Sequence, residues 1–330
     1  MADGADDERA SERRGFARVS TNVYLFLATV VSVFLAGAGY VQADAAAGGA
    51  GAESFTSMFH PRVLLTGWPF AVPLLLILLT HEFGHYFAAR RHGVPASLPY
   101  FIPLPLLSPF GTMGAVIGMS GRIRSRAALL DIGAAGPIAG MLVALPVLIW
   151  GIAESKVTPL GEGPYWLEGQ SILYWLLKRV IHGPIPAGSD MQMHPTAFAG
   201  WAGLLVTMLN LIPFGQLDGG HVAYALFGKK QDRFAIWVRR ALLVLFAYNL
   251  VTFLGPIALG TSQLSVWAAV SNSLTWIVWY ALLGLLARLG GREHPPFEPS
   301  ELSPARRAVA WVCLVLFVLI FMPTPLAQMD

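Results

Sequence analysis

Seven apolar runs divide this chain, at residues 23–41, 63–88, 127–152, 196–212, 235–254, 264–286 and 308–322. In hydrocarbon the backbone has no water to bond to, so runs of this kind fold as helices. Composition agrees: 55% of the 330 residues are hydrophobic and 12% charged, against roughly 25% charged in a soluble domain. The expected fold class is an all-α polytopic membrane protein of six or seven transmembrane helices. The fourth run is short and followed by Pro213, and the last is barely long enough to cross about 30 Å.

Lysine and arginine alternate between the loops. Arg9, Arg13, Arg14 and Arg18 precede the first run, whereas only Arg62 precedes the second. Arg90, Arg91, Arg122, Arg124 and Arg126 follow the second run, Lys229, Lys230, Arg233, Arg239 and Arg240 the fourth, and Arg288, Arg292, Arg306 and Arg307 the sixth. By the positive-inside rule these clusters are cytosolic, which places the N-terminus inside and the C-terminus outside if all seven runs cross. The expected location is a bacterial inner membrane. Segment 153–195, with Lys156, Lys178 and Arg179, is the exception on the outer side. The sequence pI near 9.1 follows from this loop asymmetry and implies no nucleic-acid partner.

Residues 1–21 are polar and mixed in charge and read as a disordered cytosolic tail, 22–323 as one membrane-embedded domain, and 324–330 as a C-terminal tail. The first run reads as a retained span and not a cleaved signal. Residues 43–57, rich in Ala and Gly, form a flexible outer loop. The prolines of 99–105 forbid helix. Gly111, Gly114, Gly118 and Gly121 then space short apolar pieces, which suggests a hairpin or re-entrant strand lining a cavity. Residues 165–181 read as an amphipathic surface segment, and Trp68, Trp150, Trp201 and Trp267 as an aromatic belt. With Cys313 alone there is no intramolecular disulfide and no cysteine-based metal site.

His81-Glu82-Phe83-Gly84-His85 lies near the end of the second run. Residues four apart on a helix are separated by about 400°, so the two imidazoles share a face and can chelate one metal ion. Glu82, about 100° round, is placed to exchange a proton with a hydrolytic water. Ionisable groups in or beside hydrocarbon are costly and usually functional. The fourth run ends in Asn210-Leu211-Ile212-Pro213-Phe214-Gly215-Gln216-Leu217-Asp218-Gly219-Gly220, where Asp218 is the carboxylate best placed as third ligand. Counted from the outer ends of their runs, His81 and Asp218 reach similar depths towards the cytosolic face.

These two motifs, with Gly133-Ala134-Ala135-Gly136-Pro137 in the third run, resemble the site-2 protease family of intramembrane zinc metalloproteases over a core of about 63–221. PYFIPLP, GTMGA and DIGAAGPIAG look most like the branch without a PDZ domain, which includes plastid and cyanobacterial members. The resemblance implies a three-helix catalytic core in which His81, His85 and Asp218 bind one Zn2+ and Glu82 is the catalytic acid/base. Asn210 would hold the substrate or the oxyanion. The expected substrate is a single-span membrane protein, such as an anti-sigma-like regulator already trimmed outside. Gly114, Ala115, Val116 and Ile117 would pair with it as an added strand.

Other polar residues take lesser roles. His221 supports the ligands or lies at the interface, His92 is solvated, His60, His182 and His194 sit in outer loops, and Asp131 pairs with an arginine. An ion transporter using the same residues would need a polar path to the outer face, which the outer halves of the runs lack. A catalytically silent scaffold is disfavoured by the intact ligand set, and a prenyl-protein peptidase by the LDGG motif.

Overall fold

The computed structural model describes residues 3–47, 55–119, 123, 125–161, 165–289 and 301–329. Helices form at all seven apolar runs, with boundaries set by proline, glycine and capping side chains. The helices of the described residues are α1 (Asp3–Ala47), the short α2 (Pro61–Thr66), α3 (Trp68–Arg91), α4 (Arg126–Glu154), α5 (Ile172–His182), α6 (Pro195–Asn210), α7 (Asp218–Phe227), α8 (Lys230–Ala258), α9 (Val266–Leu289) and α10 (Pro304–Ile320). Ser125, Ser171 and Ser303 cap α4, α5 and α10 through their side-chain oxygens. His60 and His194, expected as loop residues, cap α2 and α6 in the same way, each followed by a proline in the first turn.

Among the described residues, five helical segments are long and apolar enough to cross a membrane: Val19–Ala43, Trp68–Arg91, Arg126–Glu154, Arg233–Ala258 and Val266–Arg288. The fourth and seventh runs form α6 and α10, of 16 and 17 residues, or about 24–26 Å at 1.5 Å per residue. Four expectations change here. The polar tail is helical from Asp3; it contains no proline to interrupt the backbone of α1. The second run is two helices broken at Gly67, where a Cβ would overlap the backbone of Phe34 and Ala38 in α1. Trp201 is fully buried, stacked on Phe198 with its indole N–H donating to Gly169 O at 2.9 Å, so it belongs to the core and not to an aromatic belt. Trp68, Trp150 and Trp267 are exposed. Of the Ala/Gly-rich loop expected at 43–57, residues 43–47 complete α1, and 48–54 lie outside the described residues.

α4 is the centre of the bundle, packed against α3, α6 and α7. Small residues allow the close approach: a Cβ on Gly200 would meet the Leu148 backbone at 2.7 Å, and one on Gly203 would meet Ile77 at 3.0 Å.

Strands β1 (Tyr100–Pro103) and β2 (Thr112–Val116) form an antiparallel hairpin, with Tyr100 opposite Val116, Phe101 opposite Ala115 and a bulge before Pro103. It follows α1 along much of its length. Asn22 Nδ2 donates to Leu98 O and Pro99 O, both at 2.9 Å; Phe26 tilts on Phe101 at 5.1 Å; Ser32 donates to Gly111 O; and Tyr40 donates to Pro109 O at 2.8 Å. From Asn22 to Tyr40 is about 27 Å of helix. Ile117 lies beyond β2, and residues 120–122 lie outside the described residues.

The segment after α4 is a small cap. β3 (Lys156–Pro159) pairs with β5 (Ser189–Gln192), and β4 (Tyr165–Glu168) pairs with β6 (Leu326–Met329), all antiparallel. Two further expectations are thereby corrected. Residues 165–181 are a strand followed by a helix and not one amphipathic segment, and 324–330 contains a paired strand and not a loose tail. Lys178, an exception to the charge rule, is buried between Glu168 at 3.1 Å and Asp190 at 3.3 Å, with Tyr174 donating to Glu168 at 2.8 Å. Burial, reinforced by that carboxylate, holds the Tyr174 phenol well above its ordinary pKa. The approach to β6 is fastened to α8 and α9: Asn249 Nδ2 and Trp276 Nε1 donate to Pro323 O at 3.0 and 2.6 Å, and Asn272 exchanges two bonds of 2.8 Å with Gln328.

Candidate metal centre

His81, Glu82 and His85 are buried on α3, where the helical spacing stacks the imidazoles on one face with ring centroids 4.9 Å apart. α4 seats them. A Cβ on Gly136 would strike the His85 ring, and one on Gly140 would press the His81 side chain at 3.2 Å. His85 Nδ1 lies 2.7 Å from the Ile132 carbonyl. A carbonyl only accepts, so Nδ1 carries the proton and Nε2 keeps its lone pair.

Asp218, the first residue of α7, arrives from the other side. Pro213 and the positive φ of Gly215 (52°) turn the chain after α6, and Gly219 and Gly220 rest on the Leu211 and Gly215 carbonyls where a side chain would not fit. Asp218 Oδ2 lies 3.3 Å from His81 Nε2 and 3.2 Å from His85 Nε2, and the two Nε2 atoms are 3.2 Å apart. Oδ2 is nonetheless buried with no donor aligned on it.

This donor set fits a tetrahedral zinc ion. Bonds of about 2.0–2.1 Å in a tetrahedron put the ligand atoms roughly 3.3 Å apart, which is the spacing of the three atoms here. Two nitrogens and one oxygen suit zinc and leave a fourth position open, as catalytic sites do. Among the described residues, these three form the group of His, Cys, Asp and Glu side chains able to hold a metal ion.

Asn210 places Nδ2 3.3 Å from His81 Nε2, so the expected substrate or oxyanion residue stands at the edge of the centre. His221 is beside the site, packed by its Cβ against Gly133 of α4. His92, expected in solvent, instead lies 2.8 Å from Asp131 Oδ2; the same carboxylate accepts from Arg306 Nη2 at Oδ2 (2.7 Å) and from Nε at Oδ1 (3.0 Å). That cluster ties the ends of α3, α4 and α10 together. Reasoning from the sequence missed the cradle of Gly133, Gly136 and Gly140, although their spacing of three and four put them on one helical face.

Residues 69–249 match the sequence profile of Peptidase family M50. Among curated proteins, the chain is 30% identical over 241 residues to the probable zinc metalloprotease EGY2, chloroplastic, of Oryza sativa subsp. indica, covering 69% of this chain and 43% of that protein. It is 30% identical over 260 residues to the probable zinc metalloprotease EGY1, chloroplastic, of Arabidopsis thaliana, covering 77% of this chain and 42% of that protein. The chain thus spans about two-fifths of the length of these relatives. The match contains the whole of the ligand set, and the chain belongs to peptidase family M50, the family of the site-2 proteases.

Proposed function

We propose that the protein is an intramembrane zinc metalloendopeptidase, which hydrolyses a peptide bond in or near the transmembrane segment of a membrane-anchored regulatory protein. The observation that carries this reading is the convergence of His81, His85 and Asp218 at tetrahedral spacing, with Glu82 buried beside them on an apolar helix. Zinc bound there would supply Lewis acidity towards water and the scissile carbonyl. The rest is the work of side chains. Glu82 takes the proton of the attacking water and returns it to the leaving amine. Ile132 holds the His85 ring through Nδ1, and Asn210 offers an amide N–H to the substrate or the developing oxyanion.

A helical peptide bond is shielded by its own hydrogen bonds, so the substrate must be held extended. β2 is suited to that: among the described residues it has β1 on one edge and no strand on the other, and it is the strand of the hairpin that approaches α3. Gly114, Ala115, Val116 and Ile117 would pair with the substrate there. The basic loop clusters support a cytosolic N-terminus and an active site towards the cytosolic face, in a membrane such as a bacterial inner membrane. A single-span anti-sigma-like regulator, already trimmed outside, fits these requirements.

The test compares membrane proteins cleaved in cells carrying wild-type or Glu82→Gln enzyme, with zinc measured in the purified proteins. One zinc per chain is expected. His81→Ala and His85→Ala lose it, Asp218→Ala weakens it, and Glu82→Gln keeps it but cleaves nothing. Proteolysis by purified Glu82→Gln would sink the mechanism.

A further inference from the structure

The third ligand sits on a weak element. α7 has 10 residues and carries Asp218 at its first position, and a helix this short is marginal without outside support. Two side chains supply that support. At the far end, Arg126 Nε donates to Ala225 O at 2.5 Å and Nη2 to Leu226 O at 3.1 Å. These are carbonyls of the last turn, which the helix leaves without internal partners, and a cation at this end also suits the dipole. At the near end, the buried Gln231 donates from Nε2 to Pro213 O at 2.5 Å. It thereby holds the turn on which Gly219 and Gly220 rest.

Arg126 is also the first residue of α4, the helix whose Gly136 and Gly140 seat His85 and His81. α4 meets α7 a second time at Gly133, against His221 and the Asp218 carbonyl. Gly133 is about 10 Å along the helix from Arg126. Two contacts that far apart fix both the axial position and the tilt of α7. One helix therefore gauges all three ligands against one another.

We infer that Arg126, backed by Gln231, is a positioning residue for the metal centre, setting the register of Asp218 against the two histidines. This rests on the metalloprotease reading. The experiment uses full-length protein purified in detergent, with zinc affinity measured by competition with a chromophoric chelator and the absorption bands of bound Co2+ as a probe of ligand geometry. Arg126→Gln is expected to weaken zinc binding about 10–100-fold and to alter the cobalt spectrum, while thermal unfolding of the metal-free protein stays near wild type. Arg126→Lys recovers part of the affinity, because an ammonium reaches one of the two carbonyls. Gln231→Ala shifts affinity in the same direction by less.

A merely structural arginine would lower unfolding temperature without changing affinity or spectrum in the folded protein, and that result overturns the inference. If Arg126→Gln does not fold, Arg126→Lys and Gln231→Ala decide: wild-type affinity and spectrum in both overturn it, and weakened binding in either sustains it. Wild-type protein that binds neither zinc nor cobalt overturns the metalloprotease reading itself, and this inference with it.

Discussion

At the scale of single residues, the centre depends as much on absent side chains as on present ones. Gly136 offers the sharpest case, since the His85 ring occupies the space a Cβ would need. Gly136→Val should displace that ring, cost about 1–3 kcal/mol as overpacking does, and strip zinc. Gly255→Ala, on α8 with open space around the added carbon, should leave zinc content unchanged and unfolding within about 1 kcal/mol of wild type. Metal analysis and thermal unfolding of both variants check this, and normal zinc in Gly136→Val would show that α4 yields more readily than its packing implies. The side chains that converge at the candidate centre could be picked out in the sequence because each motif is local: four residues of helix set the histidines, and a proline-glycine turn presents Asp218. His92 was misread because its partner, Asp131, lies 39 residues further on and that carboxylate's other partner, Arg306, 214 residues further on, and no local pattern announces such a cluster.

At the scale of elements, proline and glycine spoke clearly and pairing partners did not. Residues 99–105 were expected to avoid helix and 111–123 to form a hairpin or a re-entrant strand; β1, from the first stretch, pairs with β2, from the second, as a hairpin. Segment 165–181 was read as a single amphipathic piece because apolar residues recur on both sides of Glu168-Gly169-Gln170-Ser171. Its division into β4 and α5 depends on β6, more than 150 residues away, and on Gly169, where a Cβ would run into Pro325. If β2 receives the substrate through its backbone, Ala115→Pro or Ile117→Pro removes one N–H and should impair cleavage without removing zinc. Val116→Ile keeps every donor and acceptor and should cleave normally. Unchanged cleavage by both proline variants, with zinc and fold intact, would leave the hairpin a purely structural element.

At the scale of the whole molecule, crossing number and sidedness are linked. β4 follows α4 and β6 follows α10, yet they pair, so an even number of crossings separates them. Of the helices between them α8 and α9 are long and apolar enough to cross; that number is two, or four if the short α6 and α10 cross as well, and it is even either way. A reporter fused after Asp330 should therefore behave as non-cytosolic and one inserted between Lys229 and Lys230 as cytosolic. A cytosolic signal from both would break the pairing or the charge argument. The same strand pair has a consequence for biosynthesis. Chains emerge N-terminal end first, so His81, His85 and Asp218 have all been made before α8 begins, whereas β4 waits for residues 326–329. The three side chains of the candidate centre can come together early, but the cap built on β3 to β6 is completed only as the final strand is delivered.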